Sequence, residues 1–286
     1  MRISVATGLL AAVGFVSVAA IGGGTAGSVA AGAMRPAADC HSLAIGANGK
    51  VNTTLGARRL GVWLAHQHQH HVSAAQISRE EAARFCVVQT SAPSKYRLVD
   101  STNADMNVAV TAAWDSQAKT YYSIGTWNWV TGAWKQDVGG LTYGGVYNIG
   151  KPDIMGIAYN YKVFDAGESL TYWGNGNYYG TVTKTKDTDD NPYGVVFEVQ
   201  DQASSDVGET RVDLNTLHGE MVTDYHSLSG CDKNFQAFFK YGHDWSSTAI
   251  NGFSIGEDSI GVSWSSQSHE WAETAHSTSS LSVCTN

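Results

Sequence analysis

The chain has 286 residues, of which 43% are hydrophobic, 10% aromatic and only 15% charged. Globular chains average about 25% charged residues, and disordered ones concentrate charge and lack aromatics, so disorder is excluded. A net charge of −8, from 18 Lys+Arg against 26 Asp+Glu, leaves little to neutralise phosphates and argues against a nucleic-acid partner.

Residues 1–33 read as a Sec-type signal peptide. Arg2 supplies the positive start, Val5 to Ala20 is uncharged and apolar, and Ala31-Gly32-Ala33 fits an A-x-A cleavage site. A cut after Val18-Ala19-Ala20 is the competing reading. The apolar run is short for a membrane span and is broken by Gly22-Gly23-Gly24. No later stretch reaches spanning length, so a secreted, extracellular protein with no stable membrane insertion of the monomer is expected. A mature chain of about 250 residues can bury roughly three quarters of its unfolded surface.

Cys40, Cys86, Cys231 and Cys284 all follow the leader, and an even number of cysteines outside the cytosol reads as two disulfides. Of the three pairings, Cys40–Cys86 with Cys231–Cys284 is favoured, because each pair brackets one compositionally distinct segment. No C-x-x-C spacing is present, which removes zinc-ribbon and thioredoxin-type readings.

Residues 34–94 form an N-terminal section with a short helix. Ser78 and Glu81 have capping-box spacing ahead of Ala82-Ala83-Arg84-Phe85. Leu60 to Leu64 fits either a strand or a helical turn. Between them lies His66-Gln67-His68-Gln69-His70-His71. On a strand His66, His68 and His70 share a face, and on a helix His66 and His70 lie one turn apart. Either could present imidazoles to Zn or Cu, although no carboxylate or thiolate in the segment completes a site.

From about Lys95 the hydrophobic period becomes two. Met106, Val108, Val110, Ala112 and Trp114 share one face, and Asp115 to Lys119 turns the chain into Thr120–Val130. The same alternation recurs at Met155 to Val163, Tyr193 to Val199, Phe235 to Tyr241 and Ile260 to Trp264. Turn signals such as Gly139-Gly140, Asn175-Gly176-Asn177 and Asp190-Asn191-Pro192 separate these runs. Many short alternating runs without intervening amphipathic helices imply a mainly β protein, an antiparallel sandwich or barrel of about ten strands over 95–286.

The chemical motifs are weak. Asp187, Asp189, Asn191 and Glu198 have the 1, 3, 5, 12 spacing of a Ca²⁺ loop, but Pro192 stands where that loop needs Gly. Gly252-Phe253-Ser254-Ile255-Gly256 matches a nucleophile elbow but is followed by another alternating run instead of a helix. His269-Glu270-Trp271-Ala272-Glu273 lacks the second His of a zinc-protease motif. Paired carboxylates for glycoside hydrolysis could come from Glu168, Glu198, Glu209 or Glu220.

Aromatic residues beside Asn and Gly loops are the remaining signal: Trp127 and Trp129, and then Trp173, Tyr178 and Tyr179. Flat rings can stack on sugars while amides bond hydroxyls, although aromatics also dominate cores. The expectation is therefore a secreted, disulfide-stabilised, non-catalytic binding module whose ligand is a glycan or cell-envelope material. The alternatives are a secreted hydrolase with scattered catalytic groups, and a membrane-active β-structured toxin suggested by the alternating Ser/Thr-rich C-terminal strands.

Overall fold

The computed structural model describes residues 38–69, 83–89, 105–130, 132–138, 143–228, 231–246, 248–266, 269–277 and 281–284. The expected leader and cleavage sites, the Ser78 capping box, His70 and His71 lie outside the described residues.

Two antiparallel sheets face each other. The six-stranded sheet has the order β1(Val87–Gln89), β2(Met106–Asp115), β3(Thr120–Trp129), β12(His218–Ser227), β6(Val163–Trp173) and β7(Val182–Lys184). The five-stranded sheet runs β17(Glu270–His276), β14(Ala237–Asp244), β5(Asp153–Tyr159), β9(Gly194–Val199) and β8(Asp189–Asn191). Smaller sheets join β4(Tyr143–Asn148) to β10(Gln202–Val207) and β11(Val212–Leu214), β13(Cys231–Phe235) to β18(Leu281–Cys284), and β15(Ile250–Gly256) to β16(Ser259–Trp264). The chain is thus a mainly β, antiparallel sandwich-like fold, with more and shorter strands than the ten expected.

Alternation decides what each strand buries. Val108, Val110, Trp127, Trp129, Leu170, Met221 and Tyr225 from the first sheet meet Met155, Ile157, Tyr159, Phe197, Phe239, Tyr241 and Trp271 from the second. The two layers approach so closely at Gly125 that a Cβ there would stand 2.2 Å from the ring of Phe239. Met155 to Val163, one alternating run in the sequence, is split into β5 and β6. At the break Asn160 donates to the carbonyl of Asn234 and accepts from the amide of Gln236.

The outer faces are covered as well. Helix α1(Thr53–Gln69) lies on the six-stranded sheet, so Leu60–Leu64 is helical. Asn52 caps it by accepting the amide of Leu55 at 2.9 Å. Its buried stripe, Ala57, Leu60, Gly61, Leu64 and Ala65, repeats at three- and four-residue spacing and packs on Tyr122, Ile124 and Val222. On the opposite side the β15–β16 hairpin sets Phe253, Ile255, Ile260 and Val262 against Ile154, Ala158 and Val196 of the five-stranded sheet.

Cys40 and Cys86 form a disulfide, which ties the loop before α1 to the start of β1. Cys231 is also disulfide-bonded, and the β13–β18 register places it opposite Cys284. Disulfides of this kind fit an extracellular protein. No helix among the described residues is long and apolar enough to cross a membrane.

Candidate functional site

The stripe that seats α1 delivers one polar group to the sheet. His68 follows Leu64 by one turn and continues the inward face. Beneath it β12 alternates, so that His218, Glu220, Val222 and Asp224 point towards the helix while Met221 and Tyr225 enter the core. Register places His218 beside Asn128 on β3 and Trp173 on β6. One pair deeper, Glu220 stands between Thr126 and Thr171.

These residues form a compact cluster at the C-terminal end of α1. The His68 ring stacks on Trp173 with centroids 5.9 Å apart, and His218 lies on Trp173 at 5.7 Å. Nδ1 of His68 is 3.5 Å from Oε2 of Glu220. Glu220 is fully buried, and neither of its carboxyl oxygens has a hydrogen-bond partner. Burial alone drives its carboxyl well above the usual range, which favours the neutral form. Burial, reinforced by neighbouring His218, lowers the His68 imidazole to about 4. Both shifts favour a contact between neutral partners over an ion pair. A protonated carboxyl with both oxygens unspent can donate one hydrogen bond and accept others.

A rigid loop borders the cluster. The buried carboxylate of Asp213 accepts the amides of Asn175 and Leu214 on Oδ1, and those of Tyr178 and Tyr179 on Oδ2. The side-chain amides of Asn175 and Asn177 both donate to the carbonyl of Val212. Gln69, the last residue of α1, donates to the hydroxyl of Thr181 at 2.6 Å.

The residues singled out from sequence separate here. Trp127 and Trp129 are 3% and 2% exposed and lie between the sheets, so an aromatic platform on them is corrected: the opposing sheet covers that face. Trp173 belongs to the cluster, yet at 5% exposure and in contact with two imidazoles it is a wall and not an open platform. Tyr179 is half-buried, and its hydroxyl accepts from Ser204. Tyr178, 41% exposed, is the one of the five that faces solvent.

The metal expectations divide similarly. His66 and His68 are on a helix, where two-residue spacing points them about 200° apart. His66 is exposed while His68 turns inward, so a shared strand face is corrected. Asp189 and Asn191 lie in β8, paired with β9, and Asp187 precedes that strand. The side-chain Oδ1 of Asn191 accepts the amide of Tyr193, and its Nδ2 donates to the carbonyl of Ile255. The Ca²⁺-loop spacing thus falls on a hairpin. Ser254 is inside β15 and His269–Glu273 leads into β17, so neither has the helix its motif requires.

Glu220 was visible in the sequence only as one of several carboxylates, and His218 and Asp213 carried no signal. The clue in the sequence is the period-two pattern His218, Glu220, Val222, Asp224, which sets three polar side chains on one strand face.

No protein-family model matches the chain, and no curated protein matches it. Among solved structures, the delta-toxin of Clostridium perfringens is similar, with a TM-score of 0.23 and 8% identity over 66% of this chain and 89% of the toxin. Fold and site together define a disulfide-stapled antiparallel sandwich whose helix-covered face ends in an aromatic and polar cluster.

Proposed function

We propose that the protein is an extracellular binding module, exported by its N-terminal leader, that holds a polyhydroxylated ligand such as a glycan or cell-envelope saccharide. The observation that carries this reading is the carboxyl of Glu220, buried with both oxygens unpartnered beneath Trp173, His68 and His218. Sugar hydroxyls both donate and accept, and a neutral carboxyl flanked by neutral imidazoles offers both roles without an ionic cost. Asn128, exposed beside His218 in the register, adds an amide at the rim. Trp173 adds an apolar wall, and Tyr178 an exposed ring on the bordering loop.

Tryptophan fluorescence titrated with a broad panel of soluble glycans tests this. A saturable change without turnover, lost in Glu220→Gln and weakened in Asn128→Ala, supports it. A flat response across the panel overturns it, and product formation shifts the assignment to a hydrolase.

A second reading, a membrane-active toxin, rests on β15–β16. This hairpin hydrogen-bonds mainly within itself, with Phe253 opposite Val262 and Ile255 opposite Ile260. Gly252, Ser254, Gly261 and Ser263 occupy its other face, the small-polar alternation of a strand pair that could exchange sheet for lipid. Its strands have seven and six residues, short of the roughly 9–11 needed to cross a bilayer, so insertion would recruit flanking segments. Dye release from cholesterol-containing and anionic vesicles tests it, and intact vesicles at micromolar protein reject it.

A further inference from the structure

Between the sheets, away from the helix-side cluster, three strand ends and two connecting segments converge on one imidazole. His243, from β14, is fully buried and lies with Nδ1 2.9 Å from Oδ2 of Asp153 on β5 and 3.7 Å from Oδ2 of Asp201 in the β9–β10 turn. Its Nε2 is 3.4 Å from Oδ2 of Asp137, which follows the 3-10 turn Ala133–Gln136. Trp129 meets the ring edge-on at 4.9 Å, and Trp245 stacks on it at 5.6 Å.

Two features set this cluster apart from an ordinary His–Asp pair. One imidazolium can balance one carboxylate, yet three face this ring. Asp201, moreover, is fully buried, and neither of its oxygens has a hydrogen-bond partner. Burying two carboxyl oxygens without a hydrogen bond is costly unless something absent from the chain completes them. Asp153, by contrast, is oriented by the Tyr241 hydroxyl, which donates to Oδ2 at 2.7 Å, and by the Asp244 amide, which donates to Oδ1 at 3.2 Å.

We propose that Asp153, Asp201 and Nδ1 of His243 bind a divalent transition-metal ion, of the Zn²⁺ or Mn²⁺ type, as a structural centre of the sandwich. One ligand atom from each residue lies within 4.8 Å of the others. Ligands placed about 2.0–2.2 Å from one ion stand roughly 3.0–3.5 Å apart, so small side-chain adjustments close the site. The nitrogen donor and the small number of oxygens select against Ca²⁺, which takes six to eight oxygens. Asp137 then accepts from Nε2–H and holds the ring with Nδ1 towards the ion, the usual partnership of a metal-bound histidine with an outer carboxylate.

The test uses the full exported chain purified without a polyhistidine tag, with metal content measured by elemental analysis and melting followed with and without EDTA. About one equivalent of Zn or Mn per chain is expected, together with a lower Tm after chelation that added Zn²⁺ or Mn²⁺ restores. Asp201→Asn should lose the metal and the EDTA response together. If that variant does not fold, Asp137→Asn decides, with metal affinity weakened about 10–100-fold. A metal-free wild type whose Tm is unmoved by excess Zn²⁺, Mn²⁺ or Co²⁺ overturns the proposal. So does metal retained in Asp201→Asn but lost in His66→Ala/His70→Ala, which would place it on the histidine-rich segment.

Discussion

A Cβ on Gly174 would stand 2.2 Å from Oδ1 of Asp213, so the carboxylate occupies the volume a side chain would need. That close approach lets Asp213 collect four backbone amides and fix the loop carrying Tyr178 beside Trp173. Gly174→Ala should therefore cost about 1–3 kcal/mol by overpacking. Asp213→Asn, which aims an amide donor at amide donors, should cost a similar amount. Urea unfolding measures both, and an unchanged midpoint in either variant contradicts the clamp.

Asp224 should make stability depend on pH. Burial lifts its carboxyl to about 7, the Thr120 hydroxyl opposes this, and the charge of Asp115 adds to the rise. An unfolded Asp titrates near 4, so between about 4 and 7 the folded state holds a proton that the unfolded state lacks. Stability from this group is present at low pH and is lost as pH rises through that window, by something on the order of 4 kcal/mol. Asp224→Asn removes the dependence. Its stability relative to wild type should grow from pH 5 to pH 8, and a constant difference across that range would falsify the assignment.

The disulfide Cys40–Cys86 spans 46 positions. Its loss in Cys40→Ser/Cys86→Ser should cost about 2–4 kcal/mol, chiefly by freeing the unfolded chain. The loop before α1 should loosen first, because His41 donates its amide to the carbonyl of Arg84 just beside the bridge. Hydrogen exchange would reveal this as lost protection at residues 41–52 ahead of the sheets. Uniform loss across the fold would count against it.

Calcium should leave the β8–β9 hairpin unmoved. The carbonyl and amide of Asn191 are already spent on Tyr193 and Ile255, so the acidic turn lacks a ligand its spacing promised. Millimolar Ca²⁺ should not shift the Tm, whereas a rise lost in Asp189→Asn would restore the loop reading.

The sheets were legible because alternation is a local signal. Met106 to Trp114, the turn at Asp115 and the strand from Thr120 all stand where the pattern set them. Helix α1 was harder to read. Gly56, Gly61 and the histidines dilute its periodicity, and it is held largely by packing that closely spaced small residues allow: a Cβ on Gly61 would stand 3.0 Å from the Ser169 hydroxyl. The face of Trp127 and Trp129 could not be assigned because β3 is covered on both sides, by a sheet on one and a helix on the other. Both clusters escaped a linear reading for a common reason. His68 and Glu220, or Asp153 and His243, are far apart in the chain and meet only once strand order brings β12 beneath α1, or β14 beside β5.

Strand length at the margins of the two large sheets bears on how the protein behaves in concentrated solution. Among the described residues, three of their four outer strands, β1, β7 and β8, have only three residues each. Edges that short give a neighbouring molecule almost no ladder to extend. The fourth, β17, is seven residues long but carries Glu273 on the face it shares with Trp271 and Ala275. A charge turned inward on a border strand penalises continuation of the sheet into a second copy. Self-association through sheet margins is thereby discouraged, although the central strands are rich in the residues from which fibrils are built.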